Sequence, residues 1–221
     1  MCGRFTITVT YDELQKYVEE KYEIEKISPD FRVPNYNVAP SMDVISILHD
    51  GKRYRIGLLK WGFIPSFNPD DKIGFINAKA ETVFEKPSFK KAILNQRCVV
   101  LADGYYEWKQ DETKQPYRIT TDQKLFAMAA IWNTVTDSSG KKIHTVAIMT
   151  TKAYGITEEI HERMPVILDK DTEKIWLNPK YIDPLDIKSV LQPYKGKIHM
   201  YKVSKRVGSP SANDIELIEE M

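Results

Sequence analysis

The chain has only two cysteines, Cys2 and Cys98, in 221 residues. They could form one bridge, but a chain this long can bury a core without it. No Cys-x-x-Cys occurs, and the four histidines (His49, His144, His161 and His199) show no close ligand spacing, so no metal centre is expected. No glycine-rich phosphate cradle is present either, and no cofactor is expected. No stretch approaches the roughly 18 apolar residues that cross a bilayer, and nothing reads as a targeting segment. The expectation is a cytoplasmic monomer without membrane association, nucleoid-associated if the source is bacterial. Excess charge is lacking as well: Lys and Arg number 32 against 31 Asp and Glu, a net charge of +1. That excludes a uniformly basic nucleic-acid-binding surface and leaves room only for a local groove. There are no repeats, low-complexity tracts or long linkers, so a single domain over 1–221 is expected.

What is there is a succession of short strand patterns. After an extended start from Arg4 to Val9, Thr10-Tyr11-Asp12-Glu13 forms a capping box. The helix it opens is expected to run to about Lys26. Pro29 and Pro34 then enforce an irregular segment through Asn37-Val38-Ala39-Pro40. Val44 to His49 and Lys52 to Leu59 flank Asp50-Gly51, a strong hairpin signal. Further apolar or alternating runs lie at Cys98–Trp108, Tyr117–Thr121, Leu125–Trp132, Thr145–Thr150, Pro165–Leu168 and Ile198–Val203. Short helices are expected at Ser88–Asn95, Asp171–Leu177 and Pro184–Leu191. Neighbouring hairpin-like strands outnumber helices, which predicts an α+β domain with a mainly antiparallel, barrel-like sheet core.

Four places could carry chemistry. A small residue after the initiator methionine permits removal of Met1, which leaves Cys2 with an α-amine beside its thiol. The reference pKa values, about 7.7–8.0 and about 8.5, leave part of the amine unprotonated near neutral pH. Such a pair captures aldehydes: the amine forms a Schiff base and the thiol closes a five-membered thiazolidine. The same residue could instead attack an amide with its own amine as base, and with Met1 retained it would be incidental. Glu107 sits among aromatics in Gly104-Tyr105-Tyr106-Glu107-Trp108, surroundings that raise a carboxyl pKa toward neutrality. His161, just before Pro165-Val166-Ile167-Leu168, could act as acid or base. Asn77, in Asn77-Ala78-Lys79-Ala80-Glu81-Thr82, could orient an amine. Each also admits a bland reading, as a turn, a strand end or a structural histidine.

Taken in order, Met1-Cys2-Gly3-Arg4, Asn37-Val38-Ala39-Pro40, Trp61-Gly62-Phe63-Ile64-Pro65, the Asn77 and Glu107 motifs and His161-Glu162-Arg163-Met164-Pro165 resemble the SOS response-associated peptidase family of abasic-site processing proteins. The resemblance implies that the chain binds single-stranded DNA and crosslinks Cys2 to a ring-opened abasic deoxyribose. It implies that Asn77 positions the Cys2 amine, Glu107 shuttles protons and His161 assists ring opening. It further implies self-removal of Met1 and possible strand cleavage by β-elimination. Arg4, Lys79 and Arg163 would meet phosphates. Pro40, Trp61 and Phe67, with Tyr105 and Trp108 as further aromatics, would meet bases. Three positions depart from the family pattern: Lys79 replaces arginine, Phe67 replaces a frequent tryptophan, and Val207-Gly208 replaces Val-Asn.

Three other readings compete. Glutamine amidotransferases also begin Met-Cys-Gly, but this chain has Arg4 where they carry an aliphatic residue, and it lacks their later motifs. A cysteine protease acting on other proteins would need Cys2 and His161 to meet in space. A DNA-binding module with an inert Cys2 leaves Glu107 and His161 unexplained.

Overall fold

The alternating and apolar runs become thirteen strands and four helices among the described residues, which in this computed structural model are 2–221. Met1 lies outside them, and so does the expectation of its removal. The strands are β1 Arg4–Ile7, β2 Asn35–Val38, β3 Asp43–His49, β4 Tyr54–Trp61, β5 Asn77–Lys79, β6 Arg97–Ala102, β7 Gly104–Trp108, β8 Pro116–Thr121, β9 Phe126–Thr136, β10 Lys142–Lys152, β11 Arg163–Pro165, β12 Ile167–Leu168 and β13 Ile198–Lys202. The helices are α1 Tyr11–Tyr22, α2 Ala92–Asn95, α3 Lys170–Leu177 and α4 Pro184–Val190.

One sheet has the order β13-β8-β7-β1-β2, antiparallel throughout. In the other, β10-β4-β3-β6-β9 closes on itself because β9 also pairs with β10, so the strands form a ring with no free edge there. The β4–β10 and β5–β10 pairs are parallel; the remaining pairs are antiparallel. The expected mainly antiparallel, barrel-like α+β architecture is therefore what forms. Every residue of β6 is buried, and small Ala127, Ala129 and Ala130 on β9 let the ring close tightly. Arg97 is buried too, but its guanidinium donates to the carbonyls of Ile93, Leu94, Trp176, Asn178 and Tyr181, which ties α2 and α3 to the ring.

The Cys98–Trp108 run divides where the sequence reading kept it whole. β6 belongs to the ring and β7 to the other sheet, with Asp103 alone between them. The Asp103 carboxylate accepts hydrogen bonds from Thr6 Oγ1, from the Thr8 amide and hydroxyl, and from Arg118. A Cβ at Gly104 would come within 2.9 Å of Arg118 Nε, so a larger residue there would have to displace that buried guanidinium. This crossover carries Glu107 to the second sheet.

The Thr10–Glu13 capping box forms, but α1 ends at Tyr22, short of Lys26. Glu23 adopts a left-handed φ of 57°, and Gln15 takes up the backbone groups beyond it. The Gln15 amide donates to the Ile24 and Glu25 carbonyls and accepts from the Ile27 amide. An L-residue in this conformation costs roughly 1–2 kcal/mol that glycine does not. Glu23→Gly is therefore expected to raise stability by about 0.5–1 kcal/mol after the extra chain entropy of glycine, read as a shifted denaturation midpoint. The β3–β4 hairpin forms at Asp50-Gly51. The Asp50 carboxylate binds the amides of Lys52 and Arg53, which delays β4 to Tyr54. The expected Ser88–Asn95 helix shrinks to the single turn of α2.

Candidate active site

Cys2 sits just before β1, which lies between β2 and β7 in the antiparallel sheet. The residue is 0% exposed and its sulfur lies 3.9 Å from the Arg4 carbonyl. Asn77, the first residue of β5, is delivered from the ring by its parallel pairing beside Ile148 of β10. Its Nδ2 donates to the Cys2 carbonyl at 2.9 Å. The other amide atom, Asn77 Oδ1, is buried with no hydrogen-bond donor among the described residues. A buried acceptor left open beside Cys2 is a place for an amine N–H.

Glu107 on β7 is 2% exposed, and burial pushes its carboxyl up to about 7. Burial also pushes the Cys2 thiol far above its ordinary value, and the Glu107 charge adds to that effect. Tyr105 is wholly buried and is raised in turn, first by burial and then by Cys2 and Glu107. These three groups thus sense one another electrostatically. Near neutral pH the thiol is held as S–H while Glu107 can gain or lose a proton.

His161 is partly buried, on the turn that follows Gly155–Glu159 and enters β11. Its Nδ1 accepts from the Arg163 amide at 2.9 Å, which places the proton of the neutral ring on Nε2. Its pKa is lowered, by burial first. The structure therefore gathers Cys2, Asn77 and Glu107.

The expected DNA contacts divide. Lys79 is exposed at the end of β5, Phe67 is 70% exposed, and Pro40 is partly buried at the turn joining β2 and β3. Arg4 is half-buried, and its guanidinium is engaged by Asn37 Oδ1 and the carbonyls of Val207 and Gly208. Those contacts are to backbone, and a Cβ at Gly208 would meet nothing within 4 Å, so the Val207-Gly208 departure leaves them unchanged.

Three expectations are corrected. Trp61 is 0% exposed, packs on Phe5 with ring centres 5.2 Å apart, and donates from Nε1 to the Ile76 carbonyl. It is a core residue with no face open to a base. Tyr105 is likewise buried, whereas Trp108 is partly buried. Arg163 is only 7% exposed and forms a two-pronged pair with Glu81 at 2.7 and 2.9 Å, with a further bond to the Thr150 carbonyl. Its guanidinium is already filled by a carboxylate, so it does not offer a free phosphate contact. Glu81, which sequence reasoning passed over, lies within the Asn77 motif itself. No signal in the sequence pairs it with Arg163, 82 positions further along the chain.

The match to known proteins follows this geometry. Residues 1–210 match the family described as SOS response associated peptidase (SRAP). Abasic site processing protein YoqW of Bacillus subtilis is 44% identical over 99% of both chains. Abasic site processing protein YedK of Escherichia coli is 27% identical, again over 99% of both. A crystal structure of a protein from Bacteroides thetaiotaomicron, 27% identical, superposes with a TM-score of 0.87 over 100% of both chains. The chain belongs to the SOS response associated peptidase family.

Proposed function

We propose that this protein captures abasic sites in single-stranded DNA as a covalent adduct on Cys2, after removing its own Met1. The observation that carries the reading is the clamp on Cys2: its carbonyl is held by Asn77, with a carboxyl poised near neutral pH beside it. The names of YoqW and YedK point the same way.

The freed amine attacks the aldehyde of the ring-opened deoxyribose, and one water leaves as the C=N bond forms. The thiol then adds across that bond; sulfur joins carbon and the thiol proton passes to nitrogen. Because burial keeps the thiol protonated, the amine leads and the thiol follows. Glu107 carries protons between these steps, and the Nε2–H of His161 is the donor for the developing sugar hydroxyl. Asn77 Oδ1 accepts from the amine and fixes its direction. At the imine stage the sugar C2′ proton is acidified, so β-elimination is the side reaction to expect.

The test mixes purified protein with single-stranded DNA carrying one abasic site, and reads a denaturing gel and the intact mass. The expected product is the chain lacking Met1 plus the DNA less one water, absent with undamaged DNA. No adduct from protein that has lost Met1 would overturn the reading and favour amide hydrolysis by the same cysteine.

A further inference from the structure

Where β1 and β2 lie over β3, a cavity of about 630 Å³ remains, with Phe5, Val38, Ile45, Leu58 and Leu101 among its apolar walls. That volume falls within the roughly 300–1,000 Å³ of small-molecule sites. Polar and charged side chains share the lining: Asp30, Arg32, Asn35, Ser41, Asp43 and Asn213. Asp43 and Leu58 also wall an adjoining trough of about 290 Å³, whose remaining sides include Lys60, Lys141, Lys142 and His144.

The two hollows meet at Asp43 and Leu58, which line both. Asp43 lies opposite Lys60, and Ile45 opposite Leu58, across β3–β4. Lys60 in turn lies beside Thr145 where β4 meets β10. A hollow of mixed apolar and polar walls therefore adjoins a trough with three lysines.

This division matches a nucleotide, whose flat base has a polar edge and whose phosphate is anionic. The Asp43 carboxylate, at the shared wall, repels a phosphate from the hollow and can accept from an exocyclic amine of a base. We infer that this groove is a nucleotide subsite, with one unpaired base in the cavity and its phosphate against Lys60, Lys141 and Lys142.

A strand that reaches Cys2 can reach this groove. In the antiparallel β1–β2 pairing Phe5 lies opposite Val38, so the chain runs from Phe5 back toward Cys2 alongside the turn at Ala39–Met42. Ser41 of that turn has a left-handed φ of 71° and walls the cavity. Assigning the occupant as a nucleotide of the same DNA strand rests on the function proposed above.

The test uses the full chain with undamaged single-stranded DNA, followed by fluorescence anisotropy across a salt series, and with free dAMP in parallel. Lys141 and Lys142 are exposed, so Lys141→Glu with Lys142→Glu leaves the fold intact. This variant is expected to lose about tenfold in DNA affinity, and its salt dependence should fall by about two counterions. Leu58→Trp, which fills the cavity, should weaken binding several-fold without changing the salt slope. Both should still crosslink a short abasic trinucleotide at the wild-type rate. Unchanged DNA affinity in the double lysine variant would overturn the subsite. Loss of dAMP binding with DNA binding intact would overturn the strand assignment and leave a site for free nucleotides. Because undamaged DNA is the probe, failure of wild-type protein to crosslink abasic DNA would overturn the proposed function without deciding this site.

Discussion

Cys2→Ser is expected to reduce the gel-stable adduct with abasic DNA by at least about a hundredfold, while borohydride still traps the protein on the DNA. The variant keeps the α-amine, so water can still be lost to form the imine. It lacks the sulfur, and ring closure through a hydroxyl gives a five-membered ring that opens far more readily. Two structural facts make the separation clean. The Cys2 thiol is fully buried and held protonated, so it cannot act ahead of the amine. Asn77 grips the Cys2 carbonyl, a contact serine leaves untouched. Intact mass must first show that Met1 is gone from the variant. An equally stable adduct from Cys2→Ser would then rule out the sulfur–carbon bond. Absence of both adduct and trapped imine would rule out the amine as nucleophile.

The parts of the fold that could be read in advance are those fixed by neighbours in sequence. Thr10 and Glu13 cap a helix because they stand three residues apart, and Asp50-Gly51 turns a hairpin because the Asp50 carboxylate reaches the next amides. The end of α1 was misread because Gln15, one face back on the helix, captures the chain beyond Tyr22. No periodicity announces such a contact. β5 is three residues long and exists only through its pairing with β10, about seventy positions away in sequence. The split of the Cys98–Trp108 run at Asp103 likewise depends on Thr6, Thr8 and Arg118, which meet it only after both sheets form.

The site shows the same division. The chemistry of Cys2, Asn77 and Glu107 is legible in their residue types and motifs, and the two sheets bring them together. The misplaced residues carry DNA contacts only through the resemblance. Trp61 has the ring a base would stack on, but the ring of strands needs that volume in its core. Arg163 has the fork a phosphate would fill, but Glu81 fills it from 82 positions earlier in the chain. Residue type states what a side chain can do; only packing decides whether it is free to do it.

Glu107→Gln tests whether the site trades stability for chemistry. The Glu107 carboxyl has an ordinary value of 4.5 and is raised to about 7 in the fold, mainly by burial. The sign follows from which state holds the proton. Below pH 4.5 both folded and unfolded chains are protonated at this position and nothing is lost. Between 4.5 and 7 the unfolded chain ionises while the folded one keeps its proton, so stability falls as pH rises. Above 7 the loss levels off, at about 1.4 kcal/mol for each pH unit between the two values, or roughly 3 kcal/mol in all. Glutamine cannot ionise, so the variant should match wild type near pH 4 and exceed it by roughly 2–3 kcal/mol at pH 8. Its adduct formation should be slower by about a hundredfold, the usual worth of a positioned proton carrier, and should lose any inflection near pH 7. Denaturation midpoints and adduct rates over the same pH series read both effects from one set of samples. Unaltered rates with raised stability would make Glu107 a buried structural acid. A variant less stable at pH 8 than wild type would mean that its carboxylate is held by partners strong enough to outweigh burial.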